Sequence, residues 1–89
     1  MENKYKMRVV LFTSKSCKAC PAMKANFKKA EIPFSEVDVE SKTGLVKAAQ
    51  LKIMHLPTLF LFDNDVPIKS FTGALPFSEL MKIKNKYLR

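Results

Sequence analysis

The sequence predicts an α/β domain with the element order β-α-β-α-β-β-α and a four-stranded mixed sheet flanked by helices. Three observations lead to this prediction. Residues 8–13 form an apolar, β-branched run, apolar residues then recur at helical spacing, and two strand-like runs flank an Asp-Asn-Asp turn at residues 63–65. A chain of 89 residues can bury one modest core, so residues 1–89 are predicted to be a single domain.

The first helix is predicted from Cys17 onward. Apolar residues recur at spacings of three and four at Cys20, Met23, Phe27 and Ala30. Ser14 or Ser16 is the expected N-cap, and Pro21 falls in the first turn, where its missing N–H costs little. Cys17 is therefore expected at a helix N-terminus, where the helix dipole and the free N–H groups favour an anion.

The later elements follow from the same patterns. A second strand is predicted at 34–39, a short helix at 41–51 that Gly44 weakens, strands at 58–62 and 66–72, and a last helix that Pro76 begins. Pro67 places strand 66–72 at a sheet edge, because proline cannot donate to a central ladder. Right-handed crossovers are expected to make the first three strands parallel, with the hairpin adding an antiparallel edge.

The charge balance is strongly basic. Sixteen Lys and Arg against eight Asp and Glu give a formal charge of +8. The lysines lie on predicted solvated helix faces without aromatic platforms, so we interpret the charge as a soluble surface and expect no specific nucleic-acid partner. No apolar run approaches the roughly 18 to 20 residues of a membrane span, and no secretory signal is evident. We therefore expect a cytoplasmic monomer that does not bind membranes.

Both cysteines lie in one tetrapeptide, Cys17-Lys-Ala-Cys20. So short a loop removes little entropy from the unfolded chain, which argues against a stabilising disulfide. A structural zinc site lacks ligands, since His55 is the only further nitrogen or sulfur candidate of the usual kind. Redox work remains, with a reversible Cys17–Cys20 disulfide and no bound cofactor or metal.

Three segments carry a resemblance to a known family. They are Cys17-Lys-Ala-Cys20, Leu56-Pro57-Thr58-Leu59 followed by Phe60-Leu61-Phe62, and Gly73-Ala74-Leu75. In their order and spacing the chain resembles the thioredoxin and glutaredoxin superfamily from Arg8 onward. The resemblance implies a minimal thioredoxin fold and a thiol-disulfide oxidoreductase that reduces protein disulfides by dithiol exchange.

Residue roles follow from the motif and the resemblance. Cys17 is the predicted nucleophile, because it lies on an exposed turn, and Cys20, on the core-facing stripe, is the resolving thiol. Lys18 is expected to favour the Cys17 thiolate and so to make the disulfide more oxidising. The resemblance implies that Leu56, Pro57, Thr58 and Gly73 bind substrate and that Pro57 is cis.

The chain also departs from the family pattern. Leu11 stands where thioredoxins carry a buried acid that assists the resolving cysteine, which leaves Glu36 and His55 as candidate proton-transfer groups. The segment Gly73 to Phe77 lacks the second glycine and the acid with which glutaredoxins bind glutathione. Three alternatives stay open: a glutathione-coupled glutaredoxin, a dedicated electron donor to ribonucleotide reductase, and a non-catalytic binding module. Thioredoxin reductase and glutathione are the candidate reductants, and disulfide-containing proteins are the expected substrates.

Overall fold

A computed structural model describes residues 7–88 of the chain. The elements are β1 (Met7–Thr13), α1 (Cys20–Lys29), β2 (Ser35–Asp38), α2 (Lys42–Gln50), β3 (Thr58–Asp63), β4 (Val66–Thr72) and α3 (Phe77–Tyr87). The predicted order β-α-β-α-β-β-α and the four-stranded mixed sheet are confirmed. Most element ends lie within a residue of the prediction, and the start of α1 is the main exception.

The sheet has the strand order β2-β1-β3-β4. β1 is parallel to β2 but antiparallel to β3, so the prediction that the first three strands are parallel is wrong. The register gives the reason: Asp38, where β2 ends, and Thr58, where β3 begins, lie opposite Thr13 and Phe12, at the same end of β1. The α2 connection therefore returns the chain to the end of the sheet that it left.

Helix α1 begins later than the sequence predicted. Its first residue is Cys20, its N-cap is Ala19 with no side-chain hydrogen bond, and neither predicted serine caps it. Pro21 explains the shift, because a helix that began at Cys17 would need the missing N–H of Pro21 to bond the Cys17 carbonyl. Cys17 instead lies in a turn, where its N–H donates to the Ser14 carbonyl at 3.2 Å.

The core lies between the sheet and the pair α1 and α3. Its buried members include Val9, Leu11, Leu59 and Leu61 of the sheet and Met23, Phe27, Leu80 and Ile83 of the helices. Helix α2 lies on the opposite face, where Lys47 and Gln50 line a cavity with Val10 and Phe12. No helix within residues 7–88 is long and apolar enough to cross a membrane.

One proline and one glycine fit the positions of strand β4 and helix α2. Pro67 lies on β4, an edge strand as predicted. Gly44 is buried in α2, and a Cβ there would overlap the carbonyl oxygen of Asp38. The Ser41 hydroxyl, which caps α2, accepts from the Gly44 N–H at 3.0 Å and donates to the Asp38 carbonyl at 2.7 Å. Gly44 thus allows α2 to pack closely against the end of β2.

Candidate active site

The two cysteines lie where β1 passes into α1. Cys17 is half-buried in the connecting turn, whereas Cys20, the first residue of α1, is 2% exposed. The two side chains form a disulfide with a Cα–Cα distance of 5.5 Å. One sulfur therefore faces the surface and the other lies in the core, which is the asymmetry that a nucleophile and a resolving thiol require.

The turn around Cys17 exposes cationic and polar groups. Lys15, Ser16 and Lys18 are exposed, and the Ser16 hydroxyl donates to Glu40 Oε2 at 3.4 Å. Neither lysine forms an ion pair within the described part of the chain. Although Cys17 precedes the helix, its sulfur is bonded to that of the first helical residue and so lies close to the positive end of α1.

The candidate substrate-binding residues meet at the same end of the sheet. Thr58 lies opposite Phe12, near the end of β1 from which the cysteine turn extends. The Leu56–Pro57 peptide bond is cis, Pro57 is fully buried and Leu56 is half-buried. Gly73 has φ 90° and donates its N–H to the Pro57 carbonyl at 2.8 Å. This hydrogen bond joins the Pro57 and Gly73 segments directly.

Glu36 lies in a polar cluster on the α1 face of the sheet. Its Oε2 accepts from the buried Thr13 hydroxyl at 2.6 Å and from Lys24 Nζ at 3.1 Å. The Thr13 hydrogen bond is the main cause that lowers the pKa of Glu36, and Lys24 lowers it further by its hydrogen bond and charge, while partial burial opposes both. The carboxylate therefore lies between the last residue of β1 and the Lys24 side chain of α1.

His55 is less well placed for chemistry. Its side chain is exposed, and within residues 7–88 the imidazole has no hydrogen-bond or ion-pair partner. Its backbone carbonyl accepts from the Thr58 hydroxyl, so the residue contributes to the turn before β3. The described residues also contain no group of three or more His, Cys, Asp or Glu that could hold a metal ion.

The sequence did not indicate the partners of Glu36. The sequence predicts Lys24 as one of the lysines on a solvated helix face and Thr13 as the end of a strand. Strand alternation puts Leu11 and Thr13 on one face, but only the β1–β2 register of the structure shows that Glu36 lies opposite Leu11 on that face. Nor does any signal in the sequence indicate that Met23 and Asn26 of α1 form hydrogen bonds with Leu75, in the loop before α3.

Comparison with known proteins agrees with this geometry. The thioredoxin family model matches residues 1–86. No curated protein matches the sequence.

Solved thioredoxin structures share the fold. A thioredoxin variant from Halobacterium salinarum superposes with a TM-score of 0.80 at 16% identity, over 98% of this chain and 79% of that one. Thioredoxin-2 of the malaria parasite, described as a component of protein secretion machinery, gives 0.78 at 22% identity, over 98% and 88%. The thioredoxin of Malassezia sympodialis gives 0.77 at 26% identity, over 96% and 77%.

Proposed function

Because the chain belongs to the thioredoxin family, whose common chemistry is thiol-disulfide exchange, we propose that it reduces protein disulfides through Cys17 and Cys20. The observation that supports the proposal best is the paired asymmetry of the two sulfurs. Cys17 lies in an accessible turn, and Cys20 is buried within bonding distance of it. A non-catalytic binding module would not need this arrangement.

The reaction is a two-step exchange. The Cys17 thiolate attacks one sulfur of the substrate disulfide, forms a mixed disulfide and releases the other substrate sulfur as a thiolate. Cys20, as the thiolate, then attacks the Cys17 sulfur, closes the Cys17–Cys20 disulfide and releases the second substrate sulfur. Two electrons pass to the substrate, and an external dithiol or thiol reductant returns the protein to its reduced form.

The remaining site residues have supporting roles in this proposal. Lys18 favours the Cys17 thiolate through its positive charge. Leu56 and Gly73, which are half-buried, border the extended substrate segment, and the buried Pro57 and Thr58 hold them in place from beneath. Glu36 and His55 stay the two candidate proton-transfer groups for Cys20; the Glu36 carboxylate is bound by Thr13 and Lys24, and its lowered pKa makes it a weak base for a thiol proton.

Cysteine variants test the proposal. We expect Cys17→Ser to lose insulin-disulfide reduction by at least about a hundredfold, since a serine hydroxyl stays protonated at neutral pH and is a poor nucleophile toward sulfur. Cys20→Ser should accumulate the mixed disulfide on Cys17, which mass spectrometry of the intact adduct detects. Undiminished reduction by Cys17→Ser would show that the proposed mechanism is wrong.

The reductant assigns the branch of the family. Thioredoxin reductase and glutathione with its reductase are each supplied in parallel with insulin as substrate. We propose thioredoxin-type coupling, because the glutaredoxin-type glutathione segment is absent from the sequence around Gly73. Turnover with glutathione alone would instead assign the glutaredoxin alternative. A dedicated supply of electrons to ribonucleotide reductase and a cytoplasmic location stay predictions.

A further inference from the structure

The segment that joins β4 to α3 has little secondary structure of its own. β4 ends at Thr72 and α3 begins at Phe77, so residues 73–76 lie outside both ladder and helix. The Gly73 N–H is held by Pro57, and the Pro76 carbonyl accepts from the N–H groups of Glu79 and Leu80. Between these two points, the position of Leu75 depends on other contacts.

Two side chains of α1 provide those contacts. The Leu75 N–H donates to the Met23 thioether sulfur at 3.1 Å, and Asn26 Nδ2 donates to the Leu75 carbonyl at 3.3 Å. Met23 is fully buried and Asn26 is half-buried. A thioether is a weak acceptor, but it can satisfy a backbone N–H that the core would otherwise leave without a partner. Both polar groups of Leu75 are thus held by the helix that begins with Cys20.

We propose that Asn26 and Met23 are positioning residues for substrate exchange, which fix the Gly73–Leu75 segment relative to the cysteine pair. This inference rests on the proposed function, in which Gly73 contributes to the substrate-binding surface. It assigns a role to two α1 side chains that would otherwise count only as packing. The substrate class concerned is an extended polypeptide with a disulfide, since a small disulfide molecule has no chain to lie along the segment.

Ala74 shows why the position of this segment matters. It is exposed, and its backbone N–H and C=O have no partner within residues 7–88. One neighbour is fixed to Pro57 and the other to α1. The free peptide groups of Ala74 are therefore presented in a fixed orientation, so that a substrate chain can pair with them without first ordering the loop.

Kinetics with two classes of disulfide test the inference. Asn26→Asp keeps the side-chain shape but replaces the donor with an acceptor that faces the Leu75 carbonyl. We expect the KM for insulin, measured with dithiothreitol as reductant, to rise about fivefold, the order expected for one hydrogen bond, with kcat unchanged. The rate with a small aromatic disulfide should stay within about twofold of wild type, because the cysteine chemistry is not altered.

Matched variants separate positioning from charge and from general stability. Asn64→Asp, in the turn between β3 and β4, adds the same charge at the opposite end of the sheet and should leave both substrates unaffected. Asn26→Leu removes the donor without adding charge and should reproduce the KM effect. Met23→Leu removes the sulfur acceptor at nearly constant volume. Combined with Asn26→Leu it should raise the KM by less than the product of the two single effects, since both release the same residue.

Hydrogen exchange tests the contact without a substitution. In the wild-type protein we expect the Leu75 amide to exchange much more slowly than the exposed Ala74 amide, and Met23→Leu should remove that protection. Equal exchange at the two amides, or an unchanged insulin KM in Asn26→Asp and Asn26→Leu with wild-type activity intact, would overturn the inference. Absence of disulfide reduction by the wild-type protein would instead overturn the proposed function.

Discussion

At the scale of single residues, the difference between Cys17 and Cys20 comes from their positions relative to helix α1. Cys20 begins the helix that packs on the sheet, and its side chain is buried. Cys17 lies before that helix and stays at the surface. The same tetrapeptide therefore leaves one sulfur near the surface and buries the other.

Glu36 gives a residue-scale prediction about acid stability. Its pKa is lowered mainly by the Thr13 hydrogen bond and also by Lys24, so the ionised carboxylate is stabilised in the folded state. A carboxyl group with a lowered folded-state pKa stabilises the fold at pH values above its unfolded-state pKa. This contribution is lost as the pH falls through the folded-state pKa. We expect Glu36→Gln to lower the free energy of unfolding at pH 7 by up to about 1 kcal/mol, and the difference from wild type to be smaller at pH 3.

Urea unfolding at the two pH values measures this difference, and a control comes from an exposed pair. Lys82→Gln breaks the Lys82–Glu79 contact of 3.9 Å on the surface of α3 and leaves Glu79 in the first turn of that helix. Such pairs contribute little, so this variant should stay within a few tenths of a kcal/mol of wild type at neutral pH. A Glu36→Gln difference that persists unchanged at pH 3 would contradict the assigned role of the charge.

At the scale of elements, helix α2 has one unexpected residue in its first turn and another just after its C-cap. Gly44 lies inside it, where alanine has the higher helix propensity, and Lys52 follows its C-cap with φ 56°, where glycine is preferred. The two cases have different causes. Gly44 is needed because a Cβ would overlap the Asp38 carbonyl, whereas Lys52 only closes the helix, with its N–H bonded to the Ala49 carbonyl at 3.2 Å.

Substitutions at these two positions should therefore change stability in opposite directions. We expect Gly44→Ala to lower the free energy of unfolding by about 1 to 3 kcal/mol, although helix propensity alone would raise it. Lys52→Gly should raise it by about 0.5 to 1 kcal/mol, because glycine adopts positive φ without steric cost. Thermal and urea unfolding of both variants measures the effects, and stabilisation by Gly44→Ala would contradict the close contact with β2.

The elements also show how far the sequence alone could predict this fold. Strand β4 agrees in both ends, because alternation, turn residues and Pro67 are local signals. The predicted direction of β3 is wrong, because nothing in residues 51–57 indicates at which end of the sheet the chain re-enters. The cysteine roles and the Pro57 segment could be proposed from the motifs. The contacts of Asn26 and Met23 could not, because they join residues 49 and 52 positions apart through the packing of α1 against the last loop.

At the scale of the whole molecule, α1 and α3 begin at the same end of the sheet. β1 leads into α1 at that end, and β4, whose last residue Thr72 lies opposite Thr58, leads into α3 there. Both helices then run to the opposite end, where Lys84 Nζ donates to the Ala30 carbonyl at 2.8 Å and joins their last turns. Two positive helix ends therefore lie at the cysteine end of the molecule.

This arrangement predicts a salt-dependent rate with acidic substrates. The net charge of the chain is +8, and two of its positive charges, Lys15 and Lys18, are exposed beside Cys17. An acidic disulfide protein should react several times more slowly in 0.5 M salt than in 0.02 M salt, because the screening length falls from about 20 Å to about 4 Å. An uncharged small disulfide should show no such dependence. Stopped-flow rates with the reduced protein measure both reactions.

Two double variants test whether the salt-dependent rate comes from the lysines beside Cys17 or from the net charge of the protein. The double variant Lys15→Glu with Lys18→Glu lowers the net charge from +8 to +4, since each change removes two positive units. Lys28→Glu with Lys86→Glu makes the same change in net charge at the last turns of α1 and α3. If the local field governs association, only the first pair abolishes the salt dependence, because charges at the far end are screened over the length of the molecule. Equal losses in both pairs would mean that net charge, and not the lysines beside Cys17, sets the association rate.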